Sequence, residues 1–415
     1  MALALRAEKL LPGLVDAQSG TRRSGHPAAS EPPRGPAELA GHASRLRARA
    51  GELANRPTEA EPLSGRRLDQ IDRQLVALEY ALRRLAGEPT NYRAELLAYF
   101  DTEVELGVRD QYHAAHAALA EILPGRGSLA ERMAAYRAAE RVPPPRIGRA
   151  VTALSTALRH VTSTFLALPD GEAVHYEVAT DRPWGGFNRY LGELRSLVVV
   201  NGDVTNQGAA LAQLVAHEAY PGHHTEQCRA VTGPPGAQRY PERGLYLTNT
   251  PQSLISEGMA DLALRALLGP GWGRWVESVL AEVGVRMDGE LAEWVELASR
   301  VLRPVRQDAA LLLHSLDTDP EQVRAYLRRW LLVDEPRARH ILRFLRHPRW
   351  RAYTTSYVEG ARLVQAWLAA PAGGAGDALD PSVAMPRLLR LMDEPWTPSQ
   401  LRAAAGSPST QRSAS

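Results

Sequence analysis

Long stretches of the chain repeat apolar residues every three or four positions, the spacing that one face of an α-helix requires. This periodicity predicts helices over Arg67–Ala86, Tyr92–Leu106, Arg109–Ile122, Leu129–Glu140 and Ile147–Leu168. It resumes over Trp272–Met287, Gly289–Leu313, Pro320–Leu332, Pro336–Leu345, Tyr353–Ala369 and Pro386–Met392. Pro and Gly punctuate these runs where helices start and stop. Between 174 and 201 the period changes. Val174–Val178, Phe187–Leu191 and Leu197–Asn201 read as short strands separated by turns. The pattern therefore predicts a mainly α fold with one small β-sheet.

Two further helices are apolar nearly all round, which means burial on most sides. One spans about Asn206 to Glu218 and contains Ala209-Ala-Leu-Ala-Gln-Leu-Val-Ala216. The other spans about Gln252 to Leu268, with Leu254, Ile255, Met259, Leu262, Leu264, Leu267 and Leu268. Each carries charge into this apolar setting. The first ends in His217-Glu-Ala-Tyr-Pro-Gly-His-His224. The second contains Glu257 and Asp261, one turn apart on one face. A buried carboxylate without a partner is too costly to keep ionised. A divalent cation with histidine ligands would supply the partner.

The spacing is not that of a regular zinc helix. His-Glu-x-x-His works because positions i and i+4 share one face, but here i+4 from His217 is Pro221. On an unbroken helix His223 points away, and His224 lies about 10.5 Å further along. Zinc–nitrogen bonds of roughly 2.0–2.1 Å do not span that gap. Pro221 removes a helix hydrogen bond and Gly222 relaxes the backbone. A bulge at Pro221-Gly222 would bring His223 to the place of i+4. His223 is the favoured second ligand, and His224 the alternate.

The roles follow from chemistry. His217, His223 and Glu257 form a His-His-Glu set around one zinc ion, with water in the fourth position. Other divalent transition metals, such as manganese or cobalt, suit the same set. Glu218 faces the water as general base and later protonates the leaving group. Asp261 accepts the other N–H of a ligand histidine and fixes its tautomer. The plain alternative makes these residues polar caps or half-exposed helix positions. The combination of His-Glu, two more histidines and Glu-x-x-x-Asp on a second buried helix outweighs it. His113 and His116 also have metal-compatible spacing, but without a nearby acid a solvated helix face explains them better.

Composition narrows the field. The 415 residues carry a net charge of +2, so no nucleic-acid or polyanion partner is expected. Lys9 is the only lysine among the basic residues. The single cysteine, Cys228, excludes an internal disulfide framework. No stretch has the roughly 18 apolar residues of a membrane span. The N-terminus is not ordered like a secretory signal, and the expected location is cytoplasmic. Residues 1–65 read as a largely flexible arm with one short helix around Ala37–Leu53. Residues 66–404 form a single mostly helical domain, and 405–415 a disordered tail. No pattern sets an oligomeric state.

Three segments resemble the bacterial domain-of-unknown-function 885 family. They are His217-Glu-Ala-Tyr-Pro-Gly-His-His224, Ser256-Glu-Gly-Met-Ala-Asp261 and Tyr357-Val-Glu-Gly360. The resemblance covers about Arg67 to Met392. It implies a multi-helical, zincin-like catalytic domain and a metallopeptidase of gluzincin type. In gluzincins the Glu of the second helix binds zinc and the Asp supports a ligand histidine, which matches Glu257 and Asp261. The family has no settled substrate.

Peptide hydrolysis develops an oxyanion that gains from a donor beyond the metal. Tyr357 matches the family's Tyr-x-x-Gly segment and is the first choice. Tyr353, one turn earlier, and His314 are further donor candidates, and each is equally readable as a structural residue. Arg362 is a candidate fork for a substrate carboxylate. Trp184, Gly185 and Gly186 lie before the second strand and could shape a substrate wall. An edge of the small sheet could pair an extended peptide, or the sheet could simply cover the core. The sequence thus predicts a zinc hydrolase acting on peptides. A hydrolase of small non-peptide amides or esters, and a non-catalytic helical binding protein with a structural metal, are the alternatives.

Overall fold

The computed structural model of the chain describes residues 3, 4, 7, 35–54, 62–181, 185–203, 207–233, 242, 245–369 and 378–406. The expected C-terminal tail lies almost entirely outside these residues, as does Trp184. Helix α1 (Pro36–Ala54) packs against α2 (Pro62–Leu85). Leu39, Ala40 and Ala43 of α1 meet Leu78 and Leu82 of α2 in a small core of their own. Part of the stretch expected as an arm is therefore packed against the domain.

Helix α3 (Tyr92–Phe100) starts on Asn91, whose side chain accepts from the N–H groups of Arg93 and Ala94. It stops at Asp101, which has φ of 49°, rather than running on to Leu106. Aspartate is among the few residues that tolerate this left-handed conformation. Helix α4 (Arg109–Ile122) follows, then α5 (Leu129–Ala139), started by a reciprocal Ser128–Glu131 capping box. Helix α6 (Ile147–Ser163) buries Ile147, Val151, Leu154 and Leu158 on one stripe. On α4, His113 and His116 pack on the Trp330 ring, and His116 Nε2 donates to the Trp330 carbonyl. They are packing residues rather than a purely solvated face.

The three expected strands are present. β1 (Ala173–Ala179), β2 (Gly186–Gly192) and β3 (Arg195–Asn201) form a sheet in the order β1-β3-β2. β1 runs parallel to β3 and β2 antiparallel to it. Val198 and Val200 of the central strand are fully buried.

The sheet leads into α7 (Gly208–Glu218) and α8 (His223–Thr232). Helix α9 (Pro251–Leu268) begins at a Thr250–Ser253 capping box and is buried along almost its whole length. Burying each of its leucines contributes roughly 1.5–3 kcal/mol, so a lone charge among them needs strong compensation. Helix α10 (Trp272–Glu282) ends just before Gly284, whose φ is 72°. The long helix expected over Gly289–Leu313 divides into α11 (Gly289–Arg300) and α12 (Pro304–His314). Pro304 cannot continue a helix, because it lacks the N–H and its ring clashes with the preceding turn. Helices α13 (Pro320–Leu331) and α14 (Glu335–Arg346) follow.

The expected Tyr353–Ala369 helix contains a widened π turn, Ser356–Gly360, before α15 (Ala361–Ala369). Helix α16 (Pro381–Asp393) starts upstream of the expected Pro386, on an Asp380 cap with Pro381 in the first position. Helix α17 (Pro398–Ala404) closes the described chain. The architecture is mainly α with a small three-stranded sheet. At its centre α9 packs against α7, the π turn, α15 and α16. Among the described residues no helix is long and apolar enough to cross a membrane.

Candidate metal centre

Helix α7 ends at Glu218 and α8 begins at His223, so the expected bulge is a full break between two helices. Gly222 makes the break possible. Its N–H donates to the Ala216 carbonyl, and a Cβ at this position would lie 1.9 Å from the His217 carbonyl oxygen. The Thr225 N–H and hydroxyl both bond the Ala219 carbonyl and anchor the new helix. The result brings His223 back onto His217, with their Nε2 atoms 3.1 Å apart.

Glu257 of α9 completes the cluster. Its Oε2 lies 3.3 Å from His217 Nε2 and its Oε1 3.5 Å from His223 Nε2. Tetrahedral zinc with bonds of about 2.0–2.1 Å separates its ligand atoms by about 3.3–3.4 Å. The separations of 3.1, 3.3 and 3.5 Å, the last two to different oxygens of the Glu257 carboxylate, are close to that figure. Glu257 Oε2 is buried and has no hydrogen-bond partner among the described residues. Among those residues this is the one group of His, Cys and acid side chains with metal-ligand proximity.

The outer contacts orient the donors. Asp261 Oδ1 lies 3.2 Å from His217 Nδ1, which leaves Nε2 for the metal. This is the supporting position expected for Asp261. Behind His223 stand two residues the sequence did not flag. Ser256 Oγ lies 3.4 Å from His223 Nδ1 and donates to Glu226, whose Oε2 is 3.7 Å from the same nitrogen. Glu226 sits three residues after His223 on α8, a helical spacing that could have pointed to it.

Tyr353 occupies a different place from that of a substrate-binding or oxyanion residue. Its hydroxyl donates to Glu257 Oε1 at 2.7 Å, so it holds the carboxylate of the candidate ligand. Gly258 of the second motif and Gly360 of the third explain how it gets there. A Cβ on Gly360 would lie 2.2 Å from the Leu254 carbonyl, and one on Gly258 would lie 2.3 Å from the Gly360 carbonyl. Only glycine lets the π turn approach α9 this closely.

The electrostatics of the cluster are strongly negative. Burial alone would lower the pKa of His217, but the adjacent carboxylates of Asp261 and Glu257 outweigh it and raise it to about 10. Burial likewise disfavours charge on His223, yet Glu257 and Glu226 hold its pKa well above the usual histidine value. Burial would raise Glu257, but the adjacent histidines hold it well below the carboxylate range. A field that binds a proton this firmly also favours a divalent cation, and the two compete.

His217, Glu218, Asp261 and Tyr357 line one cleft of about 620 Å³. Burial raises the pKa of Glu218, the direction that makes a carboxylate a better base. Asn188 of β2 donates to the Glu218 backbone carbonyl and ties the end of α7 to the sheet. Tyr357 faces the cleft with its ring centroid 6.3 Å from that of His217. Gly185 and Gly186 also border the cleft, and Gly186 packs so closely on Leu214 that a Cβ would meet it at 2.4 Å.

Three expected residues lie elsewhere. His224, the alternate ligand, is fully buried on the far side of α8. Its Nδ1 is 2.8 Å from Ser196 Oγ and its Nε2 2.9 Å from Glu172. One residue along a helix turns the side chain by about 100°, so His223 and His224 cannot share a target. Cys228 Sγ lies 3.5 Å from His224 Nε2, also away from the cluster. His314 donates to the Leu345 carbonyl and packs against the tilted Tyr92 ring, so it is a packing residue at the end of α12. Arg362 is largely exposed and pairs with Glu359 at 2.7 Å, and it is not part of the cleft lining.

No protein-family model matches the chain, and no curated protein matches it. Its fold is similar to the crystal structure of a candidate lipoprotein from Colwellia psychrerythraea. The TM-score is 0.52 at 16% identity, over 98% of this chain and 70% of that one. A second structure, of a candidate lipoprotein of unknown function from Shewanella oneidensis, has a TM-score of 0.41 at 13% identity. It covers 85% of this chain and 73% of that one. The likeness to the Colwellia protein is one of fold.

Proposed function

We propose that the chain is a zinc-dependent hydrolase, a metallopeptidase that cleaves peptide amide bonds. The observation that carries this reading is the convergence of His217, His223 and Glu257 at zinc-ligand separations, with Glu218 on the wall of the same cleft. The resemblance of these motifs to the domain-of-unknown-function 885 family points the same way.

His217, His223 and Glu257 hold the metal in this reading, and Asp261, Ser256, Glu226 and Tyr353 orient them. Bound zinc supplies Lewis acidity toward the scissile carbonyl and makes water more acidic. Glu218 accepts the proton of the attacking water and returns it to the leaving amine. The Tyr357 hydroxyl donates to the oxygen that gains charge. The β2 edge beside Gly185 and Gly186 offers an extended substrate a backbone to pair with. A closed structural site needs a fourth protein ligand. His224 and Cys228, the residues that could have filled that role, are engaged with Ser196, Glu172 and each other instead.

The test is metal analysis of purified protein, with turnover of peptide, small-amide and ester libraries by wild type and Glu218→Gln. One zinc per chain is expected in both, with peptide turnover falling about 10²–10⁴-fold in the variant. Absence of stoichiometric metal after zinc reconstitution would sink the reading, as would unchanged turnover in Glu218→Gln. Turnover of amides or esters without peptides would move the substrate class and keep the mechanism.

A further inference from the structure

The cleft that holds the candidate centre is lined by basic as well as acidic side chains. Four arginines line it: Arg300, Arg303, Arg306 and Arg337. Two of them are matched. Arg300 pairs with Glu296 at 2.9 Å, and Arg303 lies 3.6 Å from Glu296 and 3.8 Å from Asp261. Arg306 and Arg337 differ. Among the described residues neither guanidinium makes an ion pair or a hydrogen bond. Both line the open cleft, Arg306 with its side chain exposed and Arg337 half-buried, so both guanidinium groups are available to a ligand that enters it.

The two arginines affect each other. The protein around Arg306 and the neighbouring Arg337 both lower its pKa, while Asp261 and Tyr357 oppose the shift; the side chain itself stays exposed. Arg306 is thus within electrostatic reach of both the second arginine and the candidate catalytic wall. Burial lowers the pKa of Arg337 as well. Each residue sits in the first turn of its helix, Arg306 on α12 and Arg337 on α14. Cations are disfavoured at helix N-termini and anions favoured there. Two mutually repelling arginines at two helix starts, facing one cavity, make sense when an anion completes them.

We propose that Arg306 and Arg337 form an anion subsite in this cleft that binds a carboxylate of the substrate. Two guanidinium forks match a carboxylate through paired hydrogen bonds. Ile341, Phe344 and Leu345 of α14 line the adjoining wall and give an apolar surface for the side chain beside that carboxylate. This assigns to Arg306 and Arg337 the role that the sequence offered to Arg362. The choice of peptides as ligands rests on the hydrolase reading; the subsite itself does not need catalysis.

The shared chemistry is a carboxylate, from either a peptide C-terminus or an acidic side chain. The test measures equilibrium binding of three peptides to Glu218→Gln protein by calorimetry, so that turnover does not interfere. The probes are acetyl-Ala-Ala-Leu as the free acid, the same peptide as its C-terminal amide, and acetyl-Ala-Ala-Glu amide. At least one carboxylate-bearing peptide should bind about ten-fold or more tightly than the neutral amide. A gain for the free acid identifies the C-terminus, and a gain for the Glu amide identifies a side chain. Arg306→Met and Arg337→Met, added singly, should each remove most of that preference. Arg306→Lys should keep part of it, which separates charge from fork geometry and guards against a folding defect in the Met variants.

Equal binding of all three peptides overturns the proposal, as does a preference that survives both Met substitutions. Carboxylate preference in a protein that hydrolyses no peptide supports the subsite and counts against the hydrolase. Peptide turnover without any carboxylate preference does the reverse.

Discussion

The Nε2 atoms of His217 and His223 stand 3.1 Å apart although six residues separate them in the chain. A continuous helix would point these side chains in different directions. The break at 219–222 removes that constraint, and the backbone of Gly222 fills the space where a side chain would clash. Gly222→Ala is therefore expected to cost about 3 kcal/mol or more and to abolish zinc binding together with the fold of this turn. Calorimetric unfolding and zinc stoichiometry check it. A variant of near-normal stability and full zinc occupancy would refute the importance assigned to this contact.

Asp261 accepts from His217 Nδ1, on the side of the ring away from Glu257 and His223. Asp261→Asn should preserve the fold but weaken zinc affinity by about 10–100-fold, the usual effect of losing such a partner. Chelator competition measures this directly. Unchanged affinity would remove Asp261 from its supporting role.

Tyr353 and Tyr357 lie four residues apart with ring centroids 5.6 Å from each other, yet they meet different groups. Tyr353→Phe takes a donor from Glu257 and should weaken zinc affinity about ten-fold. Tyr357→Phe should leave zinc affinity unchanged and lower kcat about 10²-fold through loss of an oxyanion donor. Kinetics at saturating zinc, paired with metal titration, separate the two. Matching effects of both substitutions on metal affinity would contradict the division.

Glu172 forms a second buried polar cluster, apart from the candidate metal centre. Burial would raise its pKa, but hydrogen bonds from His224, Tyr220 and Arg159 outweigh it and lower the value to about 2. A depressed carboxylate pKa contributes stability that is fully present above its unfolded value of 4.5 and is lost as pH falls toward 2. Glu172→Gln should thus destabilise the protein by about 2–3 kcal/mol at neutral pH. The gap to wild type should narrow between pH 4.5 and 2. Urea unfolding midpoints at several pH values test this; a gap independent of pH would rule out the linkage.

Much of this arrangement was legible in the chain. The three strands, the boundaries of α4 and the near-complete burial of α9 follow from local periodicity, because side chains alternate or recur at fixed angles. The identities of His217, His223, Glu257 and Asp261 as a group followed from charge placed in apolar helices, which needs a partner wherever the chain folds. Helix ends were less legible. Asp101 and Pro304 stop helices that the apolar pattern alone would extend.

By itself, the sequence determined that charge enters two buried helices and that a regular helix cannot join the two histidines. Only the tertiary structure decided how the strain is relieved and which neighbours answer it. It turned His224 toward Glu172, placed Tyr353 on Glu257 and put Arg362 at the surface. It also brought Arg306 and Arg337 together from two helices. In a chain whose basic residues are almost all arginine, no local pattern marks those two. Their environment comes from the convergence of separate helix starts on one cleft, a relationship that spacing along the chain does not encode.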